Sequence, residues 1–370
     1  MQPLDPAGIY SDADVKAALR FEGGTRRVSF RYDLLSASNV YLGPLNTVRS
    51  CSVTNNALAD IKRTAKFSIV DDGAINYLSD RIQPWARLTM ADGGYVEWPQ
   101  GVFLLSTPKR KLEQNAYVTR DVQAYDQLLA LQDDKVDDRY TIASGTVYTT
   151  AITTLLDGDY SLNLTPTAKT LPGDLDWEPG TSKLRIVNDL LSAINYESAS
   201  FDEYGRLVGK PYTSPADRAP EFTYATDSQS VIAGDVDQTL DLFSVPNKLV
   251  LIKSEPDQAA LRSVYTNSEV GSPTSTVSRG RTIVEVVTEQ DAADQTTLDD
   301  KAARLMFERS QVYEVVEFGT ALMPMHSNGD VLQLTVDGLG LGAKYSEHEW
   351  SMDLKAGAIM RHKVRRVVSV

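Results

Sequence analysis

Histidine is the side chain that most readily ligates metals or transfers protons near neutral pH, and this sequence has only three. His326, His348 and His362 all fall within the last 50 residues, in segments that have the pattern of strands or turns. His348-Glu349 begins like a helical HExxH zinc motif, but Trp-Ser-Met follows and the second histidine is missing. We therefore expect surface or edge-strand histidines, and we predict no catalytic, cofactor-binding or metal-ligating residues and no cofactor.

The glycine run Gly338-Leu-Gly340-Leu-Gly342 follows a predicted strand, as a dinucleotide-binding loop does. The residues after it, AKYSEHEWSMDL, have the pattern of another strand, so no helix N-terminus is available to hold a pyrophosphate. We predict a β-turn at this point. The sequence also lacks a Walker A motif and a G-x-S-x-G nucleophile elbow.

Pairs of carboxylates could support glycoside hydrolysis, which needs two carboxyl groups about 5–10 Å apart across a sugar. The acidic doublets of this chain are Asp71-Asp72, Asp133-Asp134, Asp137-Asp138 and Asp299-Asp300. Doublets at helix ends and in loops are usually solvated or act as caps, so we favour that interpretation over hydrolysis. Asp157-Gly158-Asp159 is too short a match for a calcium-binding loop.

The composition narrows the function further. Among 370 residues, 50 acidic side chains against 37 basic ones give a net charge of −13, which argues against tight binding of nucleic acid. Cys51 is the sole cysteine, so an intrachain disulfide and a multi-cysteine metal centre are excluded. It lies in VRSCSVT without an adjacent histidine or lysine, as an inert packing residue does. The length predicts two or three domains.

No apolar run approaches the ~20 residues that span a bilayer. The start of the chain, MQPLDPAGIYSDAD, lacks the basic and apolar segments of a secretory signal. We expect a soluble protein, made in a cytoplasm, with no membrane span.

The first part of the chain has a β pattern after a short helix. Residues 1–25 are predicted to be an N-terminal arm whose helix is capped by Ser11 and ends at Gly23-Gly24. Residues 26–124 alternate apolar and polar side chains in RRVSFRYD and RTAKFSIVDD, while INYLSDRIQPW predicts one or two helical turns. This segment is predicted to be an antiparallel barrel or sandwich.

The pattern changes to helical for residues 125–235. SKLRIVNDLLSAINY carries apolar residues at helical spacing, with Thr181 or Ser182 as the cap. Glu203-Tyr204-Gly205 then predicts a tight turn between two short strands. Two further helices are predicted in YDQLLALQDDKV and TVYTTAITTLLDG, which makes this region a small α+β insert domain.

Residues 236–370 return to β. Six strand candidates are LDLFSVPNKLVLIKS, RTIVEVVT, VYEVVEFGTALMP, GDVLQLTVD, EHEWSMDLKAG and MRHKVRRVVSV. A helix at 294–310 has a buried stripe of Leu298, Ala302, Leu305 and Met306, and the polar segment 255–280 is predicted to be a flap. The predicted fold is mainly β with an α+β insert: two antiparallel β-domains, each with a helix, flank the helical domain.

Four stretches of this sequence carry a resemblance to a known family. They are residues 61–90 with 99–111; residues 122–136; residues 182–212; and the run from LFSVPNKLVL through KAARLMFERS to MPMHSNGDVLQL, in which Pro324 and Asp330 introduce a late strand. In their order and pattern these segments resemble the bacteriophage tail hub family, also called baseplate hub or tail-tip minor tail proteins. The likeness covers most of the chain from Arg26 onward.

The resemblance implies a non-enzymatic, homotrimeric ring at the tail tip of a virion, assembled in the host cytoplasm. Each subunit is then expected to contribute two tube-like β-barrel domains, which adapts a six-fold tail tube to a three-fold tip. The implied partners are the tail tube or a distal tail protein above, spike, fibre or receptor-binding proteins below, and a tape-measure protein. DNA is expected to pass through without specific binding, and the net charge of −13 leads us to predict an acidic inner wall.

Two other functions are carried as alternatives. A tail-associated hydrolase of the cell envelope needs a muralytic site, which the three predicted domains leave little chain to build. A carbohydrate-binding adhesin needs exposed aromatic platforms. The four tryptophans are scattered along the chain, and we expect them to be core or interface residues: Trp85, Trp98, Trp177 and Trp350.

Overall fold

A computed structural model describes residues 1–22, 26–112, 117–240, 243–253, 260–288, 292–310 and 314–367. The protein is mainly β, with 42% of its residues in strands and 17% in helices. The helices of the described residues are α1 (Asp12–Leu19), α2 (Leu128–Asp133), α3 (Tyr148–Leu156), α4 (Lys183–Ala193), α5 (Thr276–Arg279) and α6 (Gln295–Ser310). The strands are β1 (Val28–Leu35), β2 (Tyr41–Pro44), β3 (Val48–Asn56), β4 (Arg63–Val70), β5 (Arg81–Thr89), β6 (Tyr95–Pro99), β7 (Phe103–Leu112), β8 (Val118–Tyr125), β9 (Tyr140–Ile142), β10 (Leu162–Leu164), β11 (Leu175–Trp177), β12 (Ser200–Phe201), β13 (Leu207–Gly209), β14 (Phe222–Ala225), β15 (Ile232–Leu240), β16 (Lys248–Lys253), β17 (Leu261–Thr266), β18 (Val284–Val287), β19 (Glu314–Ala321), β20 (Val331–Val336), β21 (Leu341–Asp353) and β22 (Ile359–Arg366).

One 14-stranded sheet joins the first and last parts of the chain. Its main path is β15-β19-β22-β21-β3-β4-β8-β7-β5-β1-β2, with β6 beside β5 and β20 between β21 and β14. The join is the antiparallel ladder between β3 and β21, which pairs Ser52 with Asp353 and Asn56 with Glu349. Among the described residues the strands do not close into a barrel.

The two β-rich regions also share one hydrophobic core. Phe67 and Trp98 from the first region and Trp350 and Met360 from the last belong to a single cluster of buried side chains. The domain boundaries at 124/125 and 235/236 stay predictions, because this shared packing does not define them.

The segment INYLSDRIQPW is a turn followed by β5, and the prediction of helical turns there was wrong. The backbone N–H of Asn76 donates to the Asp80 carboxylate at 2.8 Å, and the Asp80 N–H donates to the Asn76 carbonyl at 2.8 Å. This reciprocal pair closes a tight turn that satisfies the backbone locally, after which Arg81 enters the sheet. The predicted end of the N-terminal helix at Gly23-Gly24 lies outside the described residues.

The middle region has its own core around α2, α3 and α4. Ser182 caps α4, because its hydroxyl accepts the backbone N–H of Arg185 at 3.2 Å, and the helix buries its apolar face. The predicted hairpin forms between β12 and β13, with Gly205 at φ +77° in its turn. Here the sequence pattern and the structure agree.

That hairpin turn packs against the large sheet. The Glu203 carboxylate lies 2.7 Å from the Arg63 guanidinium, and both side chains are almost fully buried. The Gln127 amide donates to the Gly205 carbonyl at 3.0 Å. A Cβ on Gly205 would lie 2.8 Å from that amide nitrogen and 2.9 Å from Val102, so glycine is required here.

A small separate sheet accounts for part of the last region. β16 pairs with β17 and β18, and α6 packs on this sheet through Leu298, Ala302 and Met306. The predicted helix at 294–310 therefore covers the small sheet and not the large one. Within the predicted flap at 255–280, β17 and α5 are formed, and residues 254–259 lie outside the described part of the chain. No helix of the described residues is long and apolar enough to cross a membrane.

Candidate functional site

Eight consecutive antiparallel strands of the large sheet form a layer with one buried and one polar side. Their order is β15-β19-β22-β21-β3-β4-β8-β7. In β3 and β4, for example, Cys51 and Phe67 point into the core while Ser52 and Lys66 point outward. This follows from the two-residue repeat of a strand. We call the outward side the polar face, and its main residues are Asp237, Glu317, Lys363, Glu349, Arg361, Ser351, Asp353, Ser52, Lys66, Gln123, Asp121 and Lys109.

Charges of both signs alternate across the polar face. The strand register places Glu317 between Asp237 and Lys363, and the Lys363 ammonium lies 2.7 Å from the Glu317 carboxylate. Farther along, Asp353 faces Ser52, which in turn faces Lys66. A depression of about 770 Å³ lies over this second row. Opposite charges are therefore neighbours across strands, while β22 itself carries three basic residues at alternate outward positions, Arg361, Lys363 and Arg365.

The polar face ends at β15 and at β7, whose outer edges are wholly or largely without a strand partner within the described residues. β15 pairs on one side only, with β19, and most of its residues are exposed. β7 pairs with β8 along its length, but with β5 only at Leu104 and Phe103. The rest of β7 therefore extends beyond β5 to Leu112, whose side chain is 72% exposed. Unpaired edges of this kind present backbone N–H and C=O groups to another chain.

A third exposed edge lies elsewhere on the molecule. β2 ends the main path of the large sheet, and in the part of the chain that the structure describes it pairs with β1 alone. Val40, Tyr41 and Leu42 at this edge are each more than half exposed. The apolar character of this edge differs from the polar face.

The core behind the polar face contains a cluster of titratable side chains. His326 and Asp330 come from the segment before β20, Glu347 from β21 and His362 from β22. Glu347 points inward because β21 has a bulge at His348, the extra residue between two register steps. The extra residue shifts the alternation of inward and outward side chains by one position, so that Glu347 and Trp350 both face the core although they are three residues apart.

Short contacts connect the members of this cluster. His326 Nδ1 lies 2.9 Å from Asp330 Oδ2 and 2.8 Å from Glu347 Oε2, and His362 Nδ1 lies 2.6 Å from Glu347 Oε1. On the other side of its ring, His326 Nε2 lies 2.7 Å from the Tyr224 hydroxyl. All four clustered side chains are at most 1% exposed. His326, Glu347 and His362 each offer a ligand atom, and these atoms lie within 4.8 Å of one another.

Burial and charge change the acidities of these groups in different directions. Burial acts to lower the pKa of His326, but the charge of Glu347 outweighs it and the pKa rises well above its ordinary value. Burial lowers the pKa of His362. The pKa of Glu347 is lowered despite its burial, chiefly by the charge of His326. Burial raises the pKa of Tyr224 to about 12, so its hydroxyl keeps its proton.

The prediction of surface or edge-strand histidines was wrong for His326 and His362. Both lie in the core, while His348 is partly exposed at the bulge. Sequence periodicity could not show this, because His326 lies in a loop and a bulge offsets the strand pattern around Glu347. The only signal was the acidic residue four positions after His326, since Asp330 at that spacing is its partner.

Comparisons with known proteins give the fold its context. No protein-family profile matches the sequence, and no curated protein does. Among solved structures, the tail protein from Neisseria meningitidis is 13% identical with a TM-score of 0.64, covering 91% of this chain and 97% of that one. The 43 kDa tail protein of prophage MuSo2 from Shewanella oneidensis is 12% identical with a TM-score of 0.62, covering 91% and 98%. This chain has the fold of phage tail proteins.

A third structure has the same tail-protein fold. Prophage tail protein gp18 from Listeria monocytogenes is 13% identical with a TM-score of 0.57, covering 90% of this chain and 94% of its own. The family resemblance seen in the sequence is thus confirmed at the level of fold, over nearly the whole chain.

The remaining predicted candidates have structural positions in this tail-protein fold. Cys51 is buried in β3, and burial raises the pKa of its thiol well above its usual value. The glycine run forms a 3-10 turn at Asp337–Leu339, with Gly340 at φ +64°, so it is a turn as predicted. Trp98 and Trp350 are core residues, whereas Trp85 and Trp177 are partly exposed.

The acidic doublets are surface features. The Asp71 carboxylate lies 2.8 Å from the Arg120 guanidinium, and the Asp134 carboxylate lies 2.8 Å from the Lys183 ammonium. The other six are exposed: Asp72, Asp133, Asp137, Asp138, Asp299 and Asp300.

Proposed function

We propose that this chain is a structural protein of a phage tail tip, a baseplate hub that functions as a homotrimeric ring and not as an enzyme. The observation that carries the proposal is the tail-protein fold, which covers 91% of this chain and 97% of the Neisseria protein. The site features support the same function, because they are strand edges and a polar face and not a catalytic cleft.

The two edges of the polar face support a ring. Strands of the eight-stranded layer alternate in direction, so β7 of one subunit and β15 of the next are antiparallel when subunits follow head to tail. Such a heterologous contact closes into a ring when the rotation fits. In a trimer, twenty-four strands then surround a lumen lined by the polar face.

The mixed charge of the polar face supports passage of DNA without binding. A wall of lysine and arginine would hold phosphates by releasing their counterions. Here Lys363 is paired with Glu317 and also faces Glu349 on β21, so acidic neighbours offset the basic residues of β22. The wall that we propose is therefore of alternating charge, where the net charge alone had indicated a uniformly acidic one.

The partners follow from a place at the tail tip. The ring meets the tail tube or a distal tail protein above, and spike, fibre or receptor-binding proteins below, while the tape-measure protein and DNA pass through it. The two β-rich regions of each subunit give three copies six similar units, which adapts a six-fold tube to a three-fold tip. The protein is assembled in the host cytoplasm and resides in the virion.

Crosslinking across the proposed contact tests the ring. Leu112→Cys on β7 and Thr239→Cys on β15 place two exposed thiols at the edges that we propose to pair. A short bismaleimide should convert the double variant into covalent trimers, with a mass three times 40.7 kDa. Each single variant should stay uncrosslinked, because Cys51 is buried.

The matched control moves one thiol to the third edge. Leu42→Cys on β2, combined with Thr239→Cys, has comparable exposure but lies outside the polar face. It should give no covalent trimer. A monomer at the highest soluble concentration, both alone and with tail particles that lack this chain, would contradict the proposed ring.

A further inference from the structure

Two of the three histidines in this chain converge on one carboxylate in the core. They are 36 residues apart, and they reach Glu347 from β22 and from the segment before β20. Asp330 completes the group from the same segment as His326. The proposed ring makes no use of this cluster, and its short contacts need a physical account.

The contact of His362 with Glu347 depends on which ring nitrogen carries the proton. The Thr320 hydroxyl lies 2.8 Å from the Ala321 carbonyl and 2.8 Å from His362 Nε2, and its one proton can serve only one of them. When the carbonyl receives that proton, Nε2 holds the imidazole proton and the Nδ1 of a neutral ring has a lone pair. That lone pair then faces Glu347 Oε1 across 2.6 Å, where an ionised carboxylate also has lone pairs.

The same shortage occurs at His326. Its Nδ1 lies within 2.9 Å of both Asp330 Oδ2 and Glu347 Oε2, but one N–H can be directed at only one oxygen. Glu347 Oε2 accordingly receives no well-directed hydrogen bond, although it is completely buried. Asp330 already has a cationic partner, because the Met1 ammonium lies 2.6 Å from its Oδ1. Glu347 Oε2 is thus the buried carboxylate oxygen of this cluster, close to two imidazole rings, that lacks a hydrogen bond.

We propose that His326, His362, Glu347 and Asp330 bind one structural Zn²⁺ ion. The ligand atoms are Nδ1 of each histidine and one oxygen of each carboxylate. Imidazole and carboxylate are ligands that Zn²⁺ favours, and four protein ligands with no open position characterise a structural site. The two carboxylates balance the charge of the ion, and Glu221, 3.7 Å from the Met1 ammonium, balances the charge of that second cation beside Asp330.

The observed geometry is close to what such a site needs. With zinc bonds of about 2.0–2.2 Å, tetrahedral ligand atoms lie roughly 3.3 Å apart, so the three nitrogen–oxygen pairs that are now 2.6 Å, 2.8 Å and 2.9 Å apart must separate by about half an ångström. The second nitrogen of each histidine already has a hydroxyl partner, Thr320 for His362 and Tyr224 for His326. Such partners fix the ring orientation and the tautomer of metal-binding histidines.

The ion would fasten the segment before β20 to strands β21 and β22. A hydrogen bond from the Glu347 N–H to the Asp330 carbonyl, 2.8 Å long, already connects two of these elements. Metal sites that join distant segments contribute their binding free energy to folding. We therefore expect the holoprotein to unfold at a higher temperature than the metal-free protein.

Metal content tests the site directly. The full chain, without a histidine tag, is produced in medium supplemented with ZnCl₂, because a buried site must be filled during folding. We expect about one Zn²⁺ per chain by elemental analysis, falling to near zero in His362→Gln. The matched control His348→Gln changes the third histidine, at the bulge beside the cluster, and should keep about one Zn²⁺ per chain.

A second measurement uses the wild-type protein, so its outcome does not require that a variant folds. Wild-type protein refolded with Co²⁺ should show the visible absorption bands of tetrahedral cobalt, and these should disappear on unfolding in the presence of a chelator. A wild-type protein that folds fully but holds no stoichiometric Zn²⁺ or Co²⁺ would overturn the proposal. Retention of the metal by a folded His362→Gln variant would overturn it as well. In either case hydrogen bonds and ion pairs hold the cluster together without a metal ion.

Discussion

The ion pair of Arg63 and Glu203 connects the large sheet to the hairpin turn of the middle region. The two side chains are 2% and 8% exposed, and the Ser327 hydroxyl donates to the same carboxylate oxygen at 2.6 Å. Removing either partner would leave the other as a buried charge that water cannot solvate. This ion pair therefore contributes to the interface between the regions, together with the hydrogen bond from Gln127 to the Gly205 carbonyl.

Removal of this carboxylate should destabilise the protein strongly. We expect Glu203→Ala to lower the free energy of unfolding by about 3–5 kcal/mol, since Arg63 is left buried and unpaired. The comparison variant is Glu197→Ala, which breaks the more exposed pair with Lys210 and should cost less than about 1 kcal/mol. Urea denaturation of both variants measures the difference, and equal losses would refute the argument.

Asp126 gives the stability a dependence on pH. Its buried carboxylate accepts the backbone N–H groups of Arg63 and Leu128, yet burial raises its pKa from 3.8 to about 6. Between those values the folded protein holds a proton that the unfolded chain has lost. Stability from this residue is therefore present below about pH 4 and is lost as the pH rises through 6.

The variant Asp126→Asn should remove this dependence. We expect the difference in unfolding free energy between wild type and variant to change by about 1–3 kcal/mol from pH 4 to pH 7. The wild type should become less stable relative to the variant as the pH rises. Chemical denaturation across that range measures it, with the exposed Asp133→Asn as the reference. A difference that does not vary with pH would show that Asp126 is ionised throughout.

At the scale of elements, local signals were sufficient where one segment determines its own structure. The cap at Ser182, the stripe of α4 and the turn at Gly205 were all predicted from adjacent residues. The bulge at His348 and the convergence of His326 with His362 were not, because they depend on the register between strands that are distant in sequence. The same is true of the β3–β21 ladder, which no periodicity within either strand specifies.

The cap of α4 offers a test of the local signal. Ser182→Ala should lower the free energy of unfolding by about 1 kcal/mol, because the Arg185 N–H loses its acceptor at the first turn. Ser182→Asp, which can accept the same N–H, should retain most of the stability. Thermal or urea unfolding measures both, and an equal loss in the two variants would show that the hydroxyl contributes in another way.

At the scale of the molecule, the polar face combines sheet geometry with the proposed passage of DNA. Lysines at Asp121, Asp237 and Asp353 would convert its alternating charges into a basic surface, repeated three times around a ring. Phosphate contacts of this kind weaken steeply with salt, by a slope of about −0.9 per phosphate neutralised. A basic lumen should therefore hold DNA most strongly at low ionic strength.

Triggered ejection from tail particles that carry the variants tests this expectation. The triple variant D121K/D237K/D353K should slow DNA release at low salt and recover as salt is added. The triple variant D133K/D137K/D138K changes the net charge equally on exposed residues of the middle region, and it should release DNA at the wild-type rate. Equal rates for both variants would show that the polar face does not line the path of DNA, since only a lumen residue can contact the moving phosphates.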